Sequence, residues 1–265
     1  MGFSLWIFDG RGIYFSPILP VMVVLLNFAF LNMLKFWKEE DKSKRRNSNL
    51  VQAQAAIIES MASLTETRDP ETGRHIKRTQ EYVRILANAL MKKTKYKGLL
   101  SAETVDLLYK SAPLHDIGKV GVSDRILFKP GKFTKEEFEE MKKHTIIGRD
   151  VIADTQNKLG NKAFLRFAYE ITYTHHEKWD GSGYPQGLKG EQIPLSGRLM
   201  AIADMYEALT TKRVYKPAHS HEEALRIMST EERSSFDPDI LEVFFELSDD
   251  FRKLAQKYVD PGEKN

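Results

Sequence analysis

Residues 17 to 37 read Pro-Ile-Leu-Pro-Val-Met-Val-Val-Leu-Leu-Asn-Phe-Ala-Phe-Leu-Asn-Met-Leu-Lys-Phe-Trp, and no charge interrupts them before Lys35. A helix of about 20 such residues spans the ~30 Å hydrocarbon layer of a bilayer. Phe36 and Trp37 stand where an interfacial aromatic belt would form. Lys35, Lys38, Lys42, Lys44, Arg45 and Arg46 follow the run, against Arg11 before it. Basic residues favour the cytoplasmic side, so the bulk of the chain is expected there. A cleaved signal peptide would carry its basic residues on the other flank and a small-residue cleavage pattern. A buried helix of a soluble protein is the other alternative, compatible with Asn27 and Asn32, but a single membrane anchor fits the run better. Residues 1–16 then form a short extracytoplasmic tail. They are too short for a sensor domain and suggest the end of a larger receptor.

Residues 38–59 read as a charged linker and signalling helix. Leu50, Ile57 and Leu64 recur at heptad spacing, with Ala53 and Met61 between. Two readings stand equal: the first amphipathic helix of the domain that follows, or a helix that dimerises below the membrane.

From residue 60 to 255 the pattern is helix after helix, and residues 256–265 read as a flexible tail. Asp69-Pro70 offers an N-cap with Pro at the first helical position, for a helix to about Lys93. Ser101 caps a helix that reaches His115. Thr134 with Glu137 is a capping box for a helix through about Thr155. Further helices are expected over 161–177 and 196–211, after Ser220, and finally from Asp237-Pro238. No run shows clear period-two alternation with hairpin turns, so the domain is all-α. The stretches 117–133 and 178–195, rich in Gly and Pro, are long loops of the kind that carry function.

Of the 265 residues 42% are hydrophobic, enough for a sizeable core. The net charge of +3 is too weak and uneven to argue for nucleic acid as a partner. There is no cysteine, which excludes disulfide scaffolds, thiolate metal sites and Cys nucleophiles. Any metal must be held by His, Asp and Glu, which suits Fe, Mn or Zn.

Those residue types are not scattered at random. Glu71 and His75 are four apart on one predicted helix and share a face. His115-Asp116 ends another, and His144 lies beside Lys142-Lys143. His175 and His176 are adjacent, so on a helix their rings diverge by about 100° and can reach different ions. Asp204 is a carboxylate on an otherwise apolar helix, where an unpaired buried charge is expensive. Singly, each has a bland reading as a helix-end charge or a surface residue. Together they account for every histidine but His219 and His221. Eight N/O ligands exceed what one ion uses, and the set has the composition of a bi- or trinuclear site, with ions ~3.5–4 Å apart, built for phosphoryl displacement.

Longer strings carry a resemblance. His115-Asp116-Ile117-Gly118-Lys119-Val120-Gly121-Val122 leads into Lys129-Pro130-Gly131-Lys132-Phe133-Thr134. His175-His176-Glu177-Lys178-Trp179-Asp180-Gly181-Ser182-Gly183-Tyr184-Pro185 is followed by Gly187-Leu188-Lys189-Gly190-Glu191-Gln192-Ile193-Pro194. Over about residues 60 to 255 the chain resembles the HD superfamily of metal-dependent phosphohydrolases, and within it the HD-GYP cyclic di-GMP phosphodiesterases of bacteria. The resemblance implies an HD-type helical bundle around two or three divalent metal ions, commonly Fe or Mn. It implies hydrolysis of cyclic di-GMP to linear pGpG and on to GMP. Asp116 would bridge two ions, with His75, His115 and Asp204 completing one and His144, His175 and His176 the other. Glu71 would help recruit a third. Lys119 would stabilise phosphoryl charge beside the catalytic His115-Asp116 pair. Arg213 and Lys216 match family positions that hold ligand phosphate. Tyr184 would contact the ligand or buttress its Gly-rich loop. A non-catalytic cyclic di-GMP receptor is disfavoured by the intact ligand set. A phosphodiesterase for another cyclic dinucleotide, such as cyclic GMP-AMP, stays open. So does a homodimer or a signalling partner. Ser196-Gly197 departs from the family, where bulkier apolar residues are more familiar.

Overall fold

The computed structural model describes residues 7–8, 14–15, 18–67, 74–159, 163–211 and 218–258. The chain divides into two compact units, Met1–Ala56 and Ile57–Asn265.

In the first unit two-residue strands, β1 (Ile7–Phe8) and β2 (Tyr14–Phe15), pair antiparallel, with Ile7 opposite Phe15. Two residues per strand are too few to register as alternation in the sequence. Helix α1 (Ile18–Thr67) follows, and its segment Ile18–Arg46 is long and apolar enough to cross a membrane. The charged stretch expected as a linker is itself helical. Its charges fall four apart with the acid first, and Glu40–Lys44 and Asp41–Arg45 pair at 2.7 and 2.9 Å. Such pairs add a few tenths of a kcal/mol each to a helix.

The second unit is all-α, as its pattern predicts. After the end of α1 come α2 (Arg74–Leu90), α3 (Ala102–Ser111), α4 (Asp124–Leu127), α5 (Lys135–Leu159), α6 (Ala163–Thr174), α7 (Leu195–Thr210), α8 (His221–Thr230), α9 (Pro238–Glu246) and α10 (Ser248–Lys257). The N-terminal signals form as read. Ser101 Oγ accepts from Thr104 N, Ser220 Oγ from Glu223 N, and Asp237 from Asp239 N. The Thr134–Glu137 box closes in both directions, at 2.8 and 3.3 Å. Asp69-Pro70 lies outside the described residues. The expected last helix is two helices. Leu247 (φ −104°, ψ 8°) leaves the helical region, and the carboxylates of Asp249 and Asp250 suit the first turn of α10.

The main core lies among α2, α3, α7, α8, α9 and α10. Tyr82 stacks on Phe251 at 4.4 Å, and Tyr206 and Phe244 meet Phe251 edge-on. A smaller cluster of Leu114, Ile152, Leu165 and Ala168 lies where α5 and α6 pack. α2 also packs on α7, so two helix pairs face the turns that join α3 to α4.

Candidate metal centre

The His115-Asp116 pair sits outside any long helix. Helix α3 stops at Ser111, and Pro113, which has no N–H to donate to a continuing helix, starts a single 3-10 turn, Ala112–Leu114. A second turn, Ile117–Gly121, follows the pair. The Thr172 hydroxyl of α6 donates to Leu114 O at 3.0 Å and ties the first turn down. Gly118 presses the second turn on α5. A Cβ there would lie 1.9 Å from His144 O and 2.5 Å from Gly148 N. Glycine at the fourth place of His-Asp-Ile-Gly-Lys is therefore what lets Asp116 approach His144. Gly148 meets Thr172 with as little room, and a Cβ on Gly197 would lie 2.1 Å from Thr174 Oγ1. The small Ser196-Gly197 pair thus brings α7, with Asp204, against the end of α6, next to His175 and His176. Ser196 Oγ donates to Glu170 Oε2 across the same contact.

Seven of the eight expected ligands converge in two groups. His75, Asp204 and His115 form one, and Asp116, His144, His175 and His176 the other. Within each group one ligand atom per residue lies within 4.8 Å of all the others. Asp116 faces both. Its Oδ2 is 3.3 Å from His115 Nε2, and its Oδ1 is 3.4 Å from His144 Nε2 and 3.7 Å from His175 Nε2. Glu71, Arg213 and Lys216 lie outside the described residues.

The rings are oriented from behind. His115, His144 and His175 each place Nδ1 at 2.8–3.0 Å from a backbone carbonyl, of Ala112, Met141 and Ile171. A carbonyl only accepts, so Nδ1 carries the proton and the Nε2 lone pair turns inward, as in second-shell support of metal ligands. His75 directs Nδ1 at Glu207 Oε1, 3.4 Å away. The buried atoms His115 Nε2 and Asp116 Oδ1 make no hydrogen bond. Buried polar atoms left unsatisfied are costly and call for an unseen partner. Imidazoles and carboxylates without a thiolate suit a divalent ion.

A family model described as HD domain matches residues 58–240. The chain belongs to the HD domain family. It is similar to two Vibrio cholerae proteins, a "Probable cyclic di-GMP phosphodiesterase" (49% identical over 222 residues, 83% of this chain and 50% of the relative) and a "Cyclic di-GMP phosphodiesterase" (48% over 238 residues, 90% and 46%). A "3'3'-cGAMP-specific phosphodiesterase 2" of the same organism is 37% identical over 204 residues, covering 77% and 37%. The chain thus spans about half or less of the length of these curated relatives.

An HD domain binds divalent metal, and the electrostatics around the two groups suit it. Burial pushes the His144 imidazole down to about 4 and His176 well below the usual histidine range, which keeps both neutral and able to ligate. Burial alone would raise the Asp116 carboxyl. The Lys119 ammonium, 2.8 Å away, with His115 and His175, instead holds it well below the usual carboxylate range. Lys119 is thus placed at the edge of the HD pair. Tyr184 lies beside His176, ring centroids 4.7 Å apart.

Two further buried carboxylates, Glu207 and Glu177, lie beside these groups, and the sequence motifs give neither a role. Glu207, 1% exposed, accepts from Arg78 Nε at 2.8 and 3.0 Å and from Thr211 Oγ1 at 2.7 Å while facing His75. Burial alone would raise its carboxyl, but His75 and Arg78 hold it down to about 2. The argument that singles out Asp204, a carboxylate on an apolar helix, applies equally to Glu207 three residues on. Glu177, directly after the histidine pair, is 2% exposed and accepts backbone N–H groups of the following loop.

Proposed function

We propose that this chain is an HD-GYP-type phosphodiesterase that hydrolyses cyclic di-GMP to linear pGpG and/or GMP, using two or three divalent ions, Fe or Mn. The observation that carries this reading is Asp116, whose two carboxylate oxygens face the two ligand groups. The names of the relatives supply the substrate class. When bound, a pair of divalent ions lowers the pKa of coordinated water toward ~7 and draws charge from a phosphodiester. The protein's part is to hold and orient. Asp116 joins the groups; His75, His115 and Asp204 serve one ion; His144, His175 and His176 serve the other. Lys119, whose ammonium lies against Asp116 Oδ2, offers a positive charge to phosphoryl oxygens as it develops. Glu71, Arg213 and Lys216 keep the roles that the resemblance implies for a third ion and the substrate phosphates. Purified protein loaded anaerobically with Fe or Mn is expected to convert cyclic di-GMP to pGpG or GMP, read by product chromatography. Binding without turnover would favour a receptor instead. Faster turnover of 3'3'-cGAMP would move the chain toward its 37%-identical relative.

The apolar start of α1 supports a single-pass place in the bacterial inner membrane, with the HD unit in the cytoplasm. Because the chain has no cysteine, one introduced residue reports its side cleanly. In intact cells, Ser4→Cys should react with a membrane-impermeant maleimide and Ser101→Cys should not. The reverse pattern overturns the topology.

A further inference from the structure

His176 is oriented differently from the other histidines of the site. Among the described residues no hydrogen bond reaches its ring, whereas three of its neighbours are fixed through Nδ1 to backbone carbonyls. Three rings lie against it: His175 tilted at 4.0 Å, His144 edge-on at 5.1 Å, and Tyr184, the most nearly parallel, stacked at 4.7 Å with 29° between the planes. Phe138 of α5 braces Tyr184 edge-on at 5.8 Å. Among the described residues the Tyr184 hydroxyl makes no hydrogen bond, while its ring meets both His176 and Phe138.

The loop that presents this ring is strapped to the histidine pair itself. Glu177 Oε1 accepts from Gln186 N at 2.7 Å and Oε2 from Leu188 N at 2.9 Å. Tyr184 N donates to His176 O at 3.2 Å. Gly183 lies so close that a Cβ on it would come within 2.3 Å of Lys178 N and 2.6 Å of His176 O. Both carboxylate oxygens of one buried side chain are thus spent on closing residues 183–188 over the chain that carries His176.

We propose that the Gly-Tyr-Pro loop is a positioning device for a metal ligand, in which the Tyr184 ring sets the plane of the His176 imidazole and Glu177 latches the loop that holds the ring. This rests on the reading of His176 as a ligand. It gives Tyr184 a role that needs its ring and not its hydroxyl, and gives Glu177 a role without contact to metal or substrate.

The test is Mn(II) binding to full-length apoprotein in detergent, by calorimetry and by metal analysis after desalting, with electron paramagnetic resonance to separate a coupled pair from an isolated ion. Tyr184→Phe keeps the ring and should bind Mn as the wild type does. Tyr184→Leu and Glu177→Ala should each weaken one of the two ions by about 10–100-fold, as loss of second-shell support does, and give the signal of an isolated ion. Glu177→Gln, which keeps one good acceptor, should fall between. Because the two residues act through one path, the double variant should lose little more than either single one. Circular dichroism melts identify a variant that fails to fold, and Tyr184→Met then replaces Tyr184→Leu. Two tightly held ions in Tyr184→Leu or its replacement overturn the proposal. So does weakened Mn binding in Tyr184→Phe, since the hydroxyl and not the ring would then support the ligand. A wild type that binds no Mn instead overturns the metal-site reading beneath it.

Discussion

Protein carrying both His115→Ala and Asp116→Ala is expected to lose the proposed cyclic di-GMP hydrolysis and its bound metal while keeping its helical content. The reason lies in charge as much as geometry. Among the described residues the two groups hold five imidazoles and two carboxylates, of Asp116 and Asp204. Two divalent ions need more negative charge than neutral imidazoles supply, and the double change removes one of the two carboxylates. It also removes the one ligand whose oxygens face both groups. The fold has little at stake. The pair lies in turns outside the large aromatic core of α2, α7, α9 and α10. His115 Nε2 and Asp116 Oδ1 make no hydrogen bond whose loss would cost stability. Losing the His115 Nδ1 bond to Ala112 O and the Lys119–Asp116 pair costs about 1–3 kcal/mol locally and leaves the helices in place. A thermal melt separates the effects. The wild type should gain stability with Mn, about 2.7 kcal/mol at a hundredfold excess over Kd. The variant should melt somewhat below the wild-type apoprotein and show no gain with Mn. Retained Mn and turnover in the variant would remove the basis for the metal centre.

The parts of this site that the sequence makes readable are those where a residue contradicts its surroundings. Asp204 stands on an apolar helix, and His175-His176 is an adjacent pair. His144 is harder, because Lys142 and Lys143 disguise its environment, yet it is 1% exposed. The helix ends were readable wherever a side chain caps its own backbone, as Ser101, Thr134 and Ser220 do. What the sequence hides is contact at a distance. Nothing local says that Gly118 must admit the backbone of α5, or that Gly197 must admit Thr174. Composition also misleads where charge and helix coincide. Residues 38–49 read as a linker by polarity, but their acid-to-base spacing of four favours the helix they form. Leu247 continues the apolar pattern of α9, and only the acids of the next turn betray the new start.

Glu207 shows the same limit most sharply, because its partner Arg78 is 129 residues away. Both are almost fully buried, and Arg78 also donates to Tyr258 O, so the pair fastens the end of α7 to α2 and to the close of α10. Glu207→Ala takes a buried carboxylate away from the Arg78 guanidinium, a loss of about 3–5 kcal/mol. For a unit of this size that lowers the melting temperature by roughly 10 °C. The same change takes the acceptor from His75 Nδ1 and should loosen the ion that His75, His115 and Asp204 would share. The two consequences can be separated. Replacing the whole pair by apolar residues, Arg78→Met with Glu207→Leu, is often neutral for stability where breaking it is not. The double variant should therefore recover most of the melting temperature. It should still bind Mn about 10–100-fold more weakly at one position, because the Glu207 carboxylate facing His75 Nδ1 is still missing. Recovery of both properties would mean that Glu207 serves the fold alone. Recovery of stability without metal identifies it as the residue that sets the His75 ring.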